Sequence, residues 1–454
     1  MQAVRPAAVA GSFYPGERAR LAAEVDALLC AVGSLEPRLG WPKAIVVPHA
    51  GYVYSGRVAA AAYDRLAAGR GAIRRVVLLG PVHRVPVRGL AAPASAAFDT
   101  PLGRVPVDRA ALEALSDLQQ LVASERAHAW EHSLEVQLPF LQRALGEFAL
   151  VPLAVGEASP EEVAEVLERL WGGAETAIVV STDLSHYLSY GAARAVDART
   201  LARIEALATD LDPEEACGAL PLNGLLALLR RRGLGIERLA YCNSGDTAGD
   251  RERVVGYAAL AVREEPAPAP EAAGAVLLGL ARGAIRSALG LGVEARAPAA
   301  AWLSAHAATF VTLRRGAELR GCIGSLEAAR PLADDVRENA RTAALRDPRF
   351  APLAANDWPQ LSVEVSLLGP MRPLAASTDA ELYAALEAGR DGLVVAYDGR
   401  RATLLPQVWT GLPDARRFVA QLLAKAGIPA HTPVGRCRFW RYRVRKWSDA
   451  PGEA

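Results

Sequence analysis

The chain has 454 residues, of which 51% are hydrophobic and 22% are charged, and its 51 lysines and arginines almost balance its 50 aspartates and glutamates. This length exceeds one ordinary hydrophobic core, so two domains are expected. The near-zero net charge gives no electrostatic basis for binding nucleic acid or a membrane surface. Five scattered cysteines form no C-x-x-C pair, which argues against a disulfide framework or a structural zinc site and indicates a reducing compartment.

The first 20 residues, MQAVRPAAVAGSFYPGERAR, lack a continuous apolar segment after the first arginine, so no signal peptide is expected. No apolar run elsewhere in the sequence reaches the length of a transmembrane helix. Together with the cysteine pattern, these features predict a cytoplasmic protein that does not insert into a membrane.

Residues 1–262 alternate short apolar segments with alanine- and leucine-rich segments that have helical periodicity. The predicted strands lie at 44–47, 75–79, 149–153, 177–180, 239–241 and 254–262. The predicted helical segments are ERARLAAEVDALLCAV, GRVAAAAYDRLAAG, RAALEALSDLQQLV, SPEEVAEVLERLW and GAARAVDARTLARIEAL. Strand–helix alternation of this kind predicts a three-layer αβα fold, in which helices cover both faces of a sheet.

A proline- and alanine-rich segment, VREEPAPAPEAAG, divides the chain. Alternating proline and alanine favour an extended, semi-rigid spacer rather than a packed element. We therefore predict a first domain at 1–262, a linker at 263–273 and a second domain at 274–454. The second domain mixes predicted helices and strands without regular alternation, which indicates a smaller α+β fold.

Three of the seven histidines, His49, His83 and His186, follow predicted strands within a few residues. Ligands of an open α/β sheet bind in the crevice at the carboxyl ends of its strands. Asp183 lies three residues before His186, and Asp246 follows the fifth predicted strand at the same rim. One such histidine is usually a hydrogen-bonded structural residue, but three at equivalent positions favour a mononuclear site for Fe(II), Zn(II) or Mn(II).

A second cluster lies in HAWEHSLEVQLPFLQ, which begins at His128 and has the apolar spacing of a core helix. Glu131, His132 and Ser133 stand at its N-terminal end, where the helix dipole and free N–H groups favour anions. Two interpretations remain open. His132 contacts a substrate or a group bound to the metal, or Glu131 and Ser133 simply cap the helix.

Six motifs between Arg5 and Val262 resemble those of a known family, in the same order: RPAAVAGSFYPG, VVPHAGYVYSG, LLGPVH, EHSLEVQLPFL, STDLSHY and NSGDTAGD…VVGYAAL. This is the Memo family, the B component of the AmmeMemoRadiSam set. Its members are similar in fold to LigB-type class III extradiol dioxygenases, which cleave aromatic rings with non-haem Fe(II). The resemblance implies that His49 and His83 bind the metal and that His186 is a further ligand or an acid–base group.

The third protein ligand is open on this resemblance. Some Memo proteins add a cysteine, but the corresponding position here is Thr247, and Cys242 lies five residues earlier. Asp246 is chosen on chemical grounds, because it offers a hard anionic oxygen whereas threonine is a poor ligand for Fe(II). The expected metal set is therefore His49, His83, Asp246 and His186.

The segments LRGCIGSLEAARPLADDVRENARTAALRDPRF, LSVEVSLL and DGLVVAYDGRRATLLPQV lie after the linker. They resemble the AMMECR family, the A component of the same set. Cys322 stands between Gly321 and Gly324, where backbone can approach a ligand closely, and the neighbouring Arg320 would favour its thiolate. The thiol is a nucleophile or ligand contact, or it is a buried cysteine packed where glycines make room.

The leading hypothesis is a cytoplasmic, dioxygenase-like oxidoreductase that uses Fe(II), or alternatively Zn(II), on a small-molecule substrate. His186, His132 and Asp183 are the candidates for catalysis, with His186 handling protons near neutral pH. The alternatives are a metal-dependent hydrolase with the same ligands and a non-enzymatic binding or adaptor module. The family association implies a separate radical-SAM partner. No C-x₃-C-x₂-C occurs in this chain, so no iron–sulfur cluster is expected.

Overall fold

The computed structural model describes residues 3–264, 268–294, 296–429 and 431–449. The chain divides into two compact units, one of Met1–Gly33 with Gly40–Pro266 and the other of Ser34–Leu39 with Ala267–Ala454. The segment Ser34–Leu39 thus belongs to the second unit, which no pattern in the sequence indicated. In that unit Leu39 packs into a hydrophobic core and Glu36 accepts a hydrogen bond from Arg443 at 3.0 Å.

The first unit contains twelve strands and nine α-helices among the described residues. The strands are β1 Val4–Arg5, β2 Ala44–Val47, β3 Arg75–Pro81, β4 Leu90–Ala92, β5 Ala97–Thr100, β6 Gly103–Pro106, β7 Leu121–Ala123, β8 Ala149–Val155, β9 Thr176–Ser181, β10 His186–Leu188, β11 Ile236–Asn243 and β12 Val254–Val262. The helices are α1 Arg18–Val32, α2 Tyr52–Leu66, α3 Arg109–Glu113, α4 Glu125–Ala129, α5 His132–Glu135, α6 Leu138–Leu145, α7 Pro160–Leu170, α8 Tyr190–Glu205 and α9 Ala219–Arg232.

A nine-stranded sheet organises this unit. Its order is β10-β12-β2-β9-β3-β8-β4-β7, with β11 paired to β12. Strands β2, β9, β3 and β8 are parallel neighbours, and nearly every side chain in them is buried, as expected for a sheet with packed helices. Parallel strands end at the same edge, so the segments that follow β2, β3 and β9 come together there. The α/β prediction for this unit is confirmed.

One predicted helix differs from the structure. The segment RAALEALSDLQQLV forms only the short helix α3, and its end continues into strand β7, which pairs in parallel with β4. Pairing at the sheet edge therefore overrides the helical periodicity. Strands β4 to β7 carry too short a pattern to be predicted from the sequence.

The second unit is a smaller mixed α+β structure, as predicted. Its strands are β13 His306–Ala307, β14 Thr309–Arg315, β15 Glu318–Gly324, β16 Arg330–Pro331, β17 Leu361–Leu368, β18 Arg372–Leu374, β19 Gly392–Tyr397, β20 Arg400–Leu404, β21 Arg438–Tyr442 and β22 Val444–Ser448. Its helices are α10 Pro270–Ala288, α11 Leu332–Leu345, α12 Asp379–Ala384 and α13 Ala415–Lys425. The two four-stranded sheets have the orders β15-β14-β17-β22 and β18-β21-β19-β20.

Helix α10 begins at Pro270, inside the linker predicted at 263–273. Proline is well suited to the first turn of a helix, because its missing N–H would have no partner there and its φ is already helical. The proline-rich pattern therefore extends into the helix start, and residues 265–267 of the predicted linker lie outside the described residues. Within the described parts of the chain, no helix is both long and apolar enough to cross a membrane.

His128 makes the stability of the fold sensitive to pH. Its side chain is 1% exposed, and burial lowers its pKa to about 4. Between this value and the ordinary 6.5, the unfolded chain binds a proton that the folded chain does not. Stability therefore falls as the pH falls through this window, by up to about 3 kcal/mol from this group.

We expect the free energy of unfolding of His128→Gln to fall less between pH 7 and pH 4.5 than that of the unchanged protein, because the variant lacks this buried imidazole. Urea unfolding at the two pH values would measure the difference.

The matched control for this prediction is His431→Gln, because His431 is an exposed histidine of the second unit. This change should leave the pH dependence of unfolding as it is. An unchanged pH dependence in His128→Gln would show that other groups cause the acid sensitivity.

Candidate metal centre

Three histidines form a compact group at the carboxyl edge of the sheet. His49, His83 and His132 each offer one ring nitrogen, and these nitrogens lie within 4.8 Å of one another. The rings of His83 and His132 stack at 4.7 Å, and that of His49 stands edge-on to both at 5.3 and 5.4 Å. The side chain of His49 is 2% exposed, whereas those of His83 and His132 are 30% and 18% exposed. One histidine of the group is therefore buried, and the other two are partly accessible to solvent.

Strand ends and a short helix position the three rings. His49 follows β2 and His83 follows β3, so the parallel strands carry both to one edge. His132 begins helix α5, whose Ser133 hydroxyl donates to the carbonyl of Pro81 at 2.9 Å. A Cβ at Gly80 would lie 2.8 Å from the Ser133 hydroxyl, so glycine is needed for this close approach.

Glu131 orients His83. Its carboxylate lies 2.9 Å from His83 Nδ1, and it accepts hydrogen bonds from the backbone N–H groups of His83 and Ser133 at 2.7 and 3.0 Å. Burial acts to raise its pKa, but these hydrogen bonds outweigh burial and lower the pKa to about 2. An ionised carboxylate can only accept, so His83 Nδ1 is the donor in this contact and Nε2 is the nitrogen left to face a metal. Glu131 is thus both a helix cap and the partner of a candidate ligand.

Two of the three imidazoles, those of His49 and His132, are held in the neutral form that binds metals. Burial, reinforced by the neighbouring histidines, lowers the pKa of His49 well below 6.5, and burial lowers that of His132 to about 4. His132 Nδ1 is buried 3.3 Å from Glu131 Oε1, yet makes no hydrogen bond among the described residues. An ion held at about 2.1 Å by each of two nitrogens limits their separation to about 4.2 Å. Small side-chain adjustments would therefore complete a three-histidine site.

Asp183 and His186 lie beside this group. Asp183 is 5% exposed and accepts a hydrogen bond from the backbone N–H of His49 at 2.8 Å, while burial raises its pKa to about 7. His186 begins the edge strand β10 and is not one of the three grouped histidines. Burial lowers its pKa, and the charge of His83 acts in the same direction. Both residues are therefore near the candidate ligands without belonging to the group.

The structure does not bring Asp246 together with the histidines. Strand β11 ends at Asn243, and the following turn leaves Asp246 exposed, with its carboxylate bonded to the Tyr190 hydroxyl at 2.6 Å and the Asn243 N–H at 3.0 Å. Thr247 is exposed as well. The third imidazole comes instead from His132, which the sequence left between contact with a substrate or a metal-bound group and no role beyond a capped helix.

We expect Asp246→Asn to change metal affinity by less than about twofold, because exposed charges are screened by solvent and salt. Isothermal titration with Zn(II) on the purified variant would measure this. Cys242→Ser, on the preceding strand, serves as the comparison and should also have little effect. A loss of more than tenfold in Asp246→Asn alone would instead identify that carboxylate as a ligand.

Cys217 is a residue near the site that the sequence did not indicate. Its sulfur lies 3.3 Å from His49 Nε2 and accepts from the backbone N–H of Asp183 at 3.3 Å. Burial and the charge of Asp183 raise the pKa of Cys217 to about 12, so it is a neutral thiol. His49 and Cys217 are 168 positions apart, and no local pattern relates them.

In the second unit, Cys322 contacts residues on neighbouring segments of the chain. The hydroxyl of Thr312 donates to its sulfur at 3.3 Å, and its backbone N–H donates to Asp347 at 2.8 Å. The guanidinium of Arg349 donates to the Cys322 carbonyl at 2.8 Å and pairs with Asp347, whereas Arg320 lies 4.0 Å from Glu318. The cation that hydrogen-bonds to the backbone of Cys322 is thus Arg349.

The fold and the histidine group define an α/β protein with a candidate metal centre at the carboxyl edge of its sheet. The model of the Memo family, described as Memo-like protein, matches residues 5–261, and the AMMECR1 model matches residues 278–447. This chain belongs to the Memo family and carries an AMMECR1 domain after the Memo domain.

Two MEMO1 family relatives agree with the Memo assignment. A MEMO1 family protein of Aquifex aeolicus is 38% identical over 274 residues, which cover 56% of this chain and 97% of that protein. Another from Thermotoga maritima is 33% identical over 273 residues, with the same coverage of both chains. A solved structure of an uncharacterised protein from Pyrococcus horikoshii is 30% identical and covers 40% of this chain and 93% of its own, with a TM-score of 0.37.

Proposed function

We propose that this chain is a non-haem metal-dependent oxidoreductase of the dioxygenase-like type, which acts on a small molecule in the cytoplasm. The observation that carries this proposal is the group of three imidazoles, two of them held by hydrogen bonds through Nδ1. The resemblance of Memo proteins to LigB-type dioxygenases favours Fe(II). When bound, iron would supply redox chemistry and open coordination positions for substrate and oxygen.

The chain's own residues would bind the metal and move protons. His49, His83 and His132 would hold the ion, with Glu131 orienting His83. Asp183, whose pKa is about 7, can hold or release a proton near neutral pH. His186, with its lowered pKa, is neutral under the same conditions and can accept one.

A zinc-dependent hydrolase is the second candidate, and the donor set favours it. Three histidines with an open position form the ligand set of one class of catalytic zinc sites. Zinc in such a site would lower the pKa of a bound water towards neutral, and Asp183 or His186 would accept the proton.

Anaerobic purification with metal analysis tests these functions. Stoichiometric iron, followed by substrate-dependent O₂ uptake, would support the oxidoreductase. Stoichiometric zinc without O₂ uptake would support the hydrolase. A protein that takes up neither metal would overturn both and leave a binding or adaptor module.

We also propose that the chain works with a separate radical-SAM protein, as the family association implies. Fusion of the two components raises their effective concentration towards a shared partner. Anaerobic co-purification with a radical-SAM protein of the same organism, monitored by the absorbance of its iron–sulfur cluster, tests this. Elution of the cluster apart from this chain at micromolar concentrations would contradict the proposal.

A further inference from the structure

A network of buried hydrogen bonds contacts the Nδ1 side of the His49 ring, away from Nε2. His49 Nδ1 lies 2.9 Å from the hydroxyl of Ser181, the last residue of β9. That hydroxyl also contacts Gln137 Nε2 at 2.8 Å and the carbonyl of Ser133 at 2.7 Å. Gln137 and Ser181 are fully buried, so water does not compete for these bonds.

Backbone carbonyls, which can only accept, determine the direction of each hydrogen bond in this network. The carbonyl of Pro48 can only accept, and it lies 2.9 Å from the Gln137 amide, so the Gln137 atom facing it is Nε2. The Tyr63 hydroxyl donates to the other atom, Oε1, at 2.8 Å, which agrees with this orientation. The second N–H of Gln137 is therefore directed to Ser181.

Ser181 has one proton to donate. The carbonyl of Ser133 can only accept, so the Ser181 proton goes to it. The Ser181 oxygen then accepts from Gln137, and its remaining lone pair can only accept from His49 Nδ1. It follows that His49 carries its proton on Nδ1 and its lone pair on Nε2. The neutral thiol of Cys217, 3.3 Å from Nε2, is a donor suited to that lone pair.

We infer that Ser181 and Gln137 are positioning residues, which hold His49 in the Nδ1–H tautomer and reserve Nε2 for the metal. This inference rests on the proposed metal site. The two candidate ligands at strand ends, His49 and His83, are oriented by different hydrogen-bond partners. His83, which is partly exposed, donates to the carboxylate of Glu131, whereas the buried His49 donates to a neutral hydroxyl, which avoids placing a second charge in the interior.

Ser181→Ala is the direct test, with Ser185→Ala as its matched control. Ser185 is also a buried serine of this edge, but the residue contacts Asp197, and its hydroxyl makes no hydrogen bond to a histidine among the described residues. We expect Ser181→Ala to weaken Zn(II) binding by about tenfold to a hundredfold, the usual effect of removing the partner of a ligating histidine. Ser185→Ala should bind Zn(II) as the unchanged protein does. Gln137→Met should cause a smaller loss, because the Ser133 carbonyl still takes the Ser181 proton.

Imidazole tautomers provide a readout that a merely structural role would not change. The metal-free protein, labelled with ¹⁵N-histidine, should show His49 protonated on Nδ1, with its signal identified by its loss in His49→Gln. Ser181→Ala should shift this ring towards the Nε2–H form. An Nε2–H tautomer in the unchanged protein, or equal Zn(II) affinity in Ser181→Ala and Ser185→Ala, would overturn the inference.

This experiment also separates the inference from the proposed function. If the unchanged protein binds neither Zn(II) nor Fe(II), the proposed function fails, and with it the role of Nε2 as a ligand. The tautomer of His49 in the metal-free protein would then still decide whether Ser181 and Gln137 set the proton position. If metal binds and the tautomer is Nδ1–H but no turnover is found, the inference stands without the oxidoreductase.

Discussion

His83→Ala is expected to lower the affinity for Fe(II) or Zn(II) by more than about a hundredfold while the protein remains folded. The change removes one of three imidazoles, a larger loss than removing the partner of a ligand, which costs about tenfold to a hundredfold. His83 is 30% exposed and follows a strand end, so its replacement leaves little buried space. Metal content after anaerobic loading, together with a circular dichroism spectrum, measures both parts of the prediction. His132→Ala should behave in the same way.

His186→Ala is the control, because His186 lies beside the group without belonging to it. It should retain the metal and lose turnover if its role is to accept protons. Full metal content in folded His83→Ala would rule out the three-histidine site. A loss of metal in His186→Ala equal to that in His83→Ala would add His186 to the ligands.

Arg5→Ala is expected to destabilise the first unit by about 3–5 kcal/mol, the effect of breaking a buried ion pair from one side. The side chains of Arg5 and Glu135 are 1% and 0% exposed, and they form an ion pair. Arg5 also donates to the carbonyls of His128 and Glu131, each at 2.8 Å. Its removal leaves the Glu135 charge and both carbonyls with fewer hydrogen-bond partners, next to the start of helix α5, where His132 lies. Urea unfolding followed by circular dichroism would measure the loss.

Arg104→Ala is the matched control for this change. Arg104 pairs with Asp99 at 3.0 Å, but the two side chains are 61% and 43% exposed, and such pairs contribute about 1 kcal/mol or less. Similar losses of stability in the two variants would mean that the buried pair has no special role. The Arg5 change should also weaken metal binding, because it loosens the segment that positions Glu131 and His132.

Much of the fold was predictable from local patterns. Apolar runs such as that of β2 are buried on both faces of a parallel sheet, so they stand out in the sequence even without knowledge of their neighbours. The same patterns identified His49 and His83 as residues at strand ends. The family motifs extended this to both domains, and the family models confirm that assignment.

What the sequence determined by itself was therefore the central strands and most helices of the first unit, the domain order and two members of the candidate site, because each depends on residues close together in the chain. Only the tertiary structure decided which group joins them. His132 reaches the site because helix α5 packs on the end of β3, and Asp246 is turned outward because a tight turn follows β11. Ser181 and Cys217 contact His49 across 132 and 168 positions of sequence. Strand order and side-chain direction set such contacts, and both arise from packing between distant segments rather than from local periodicity.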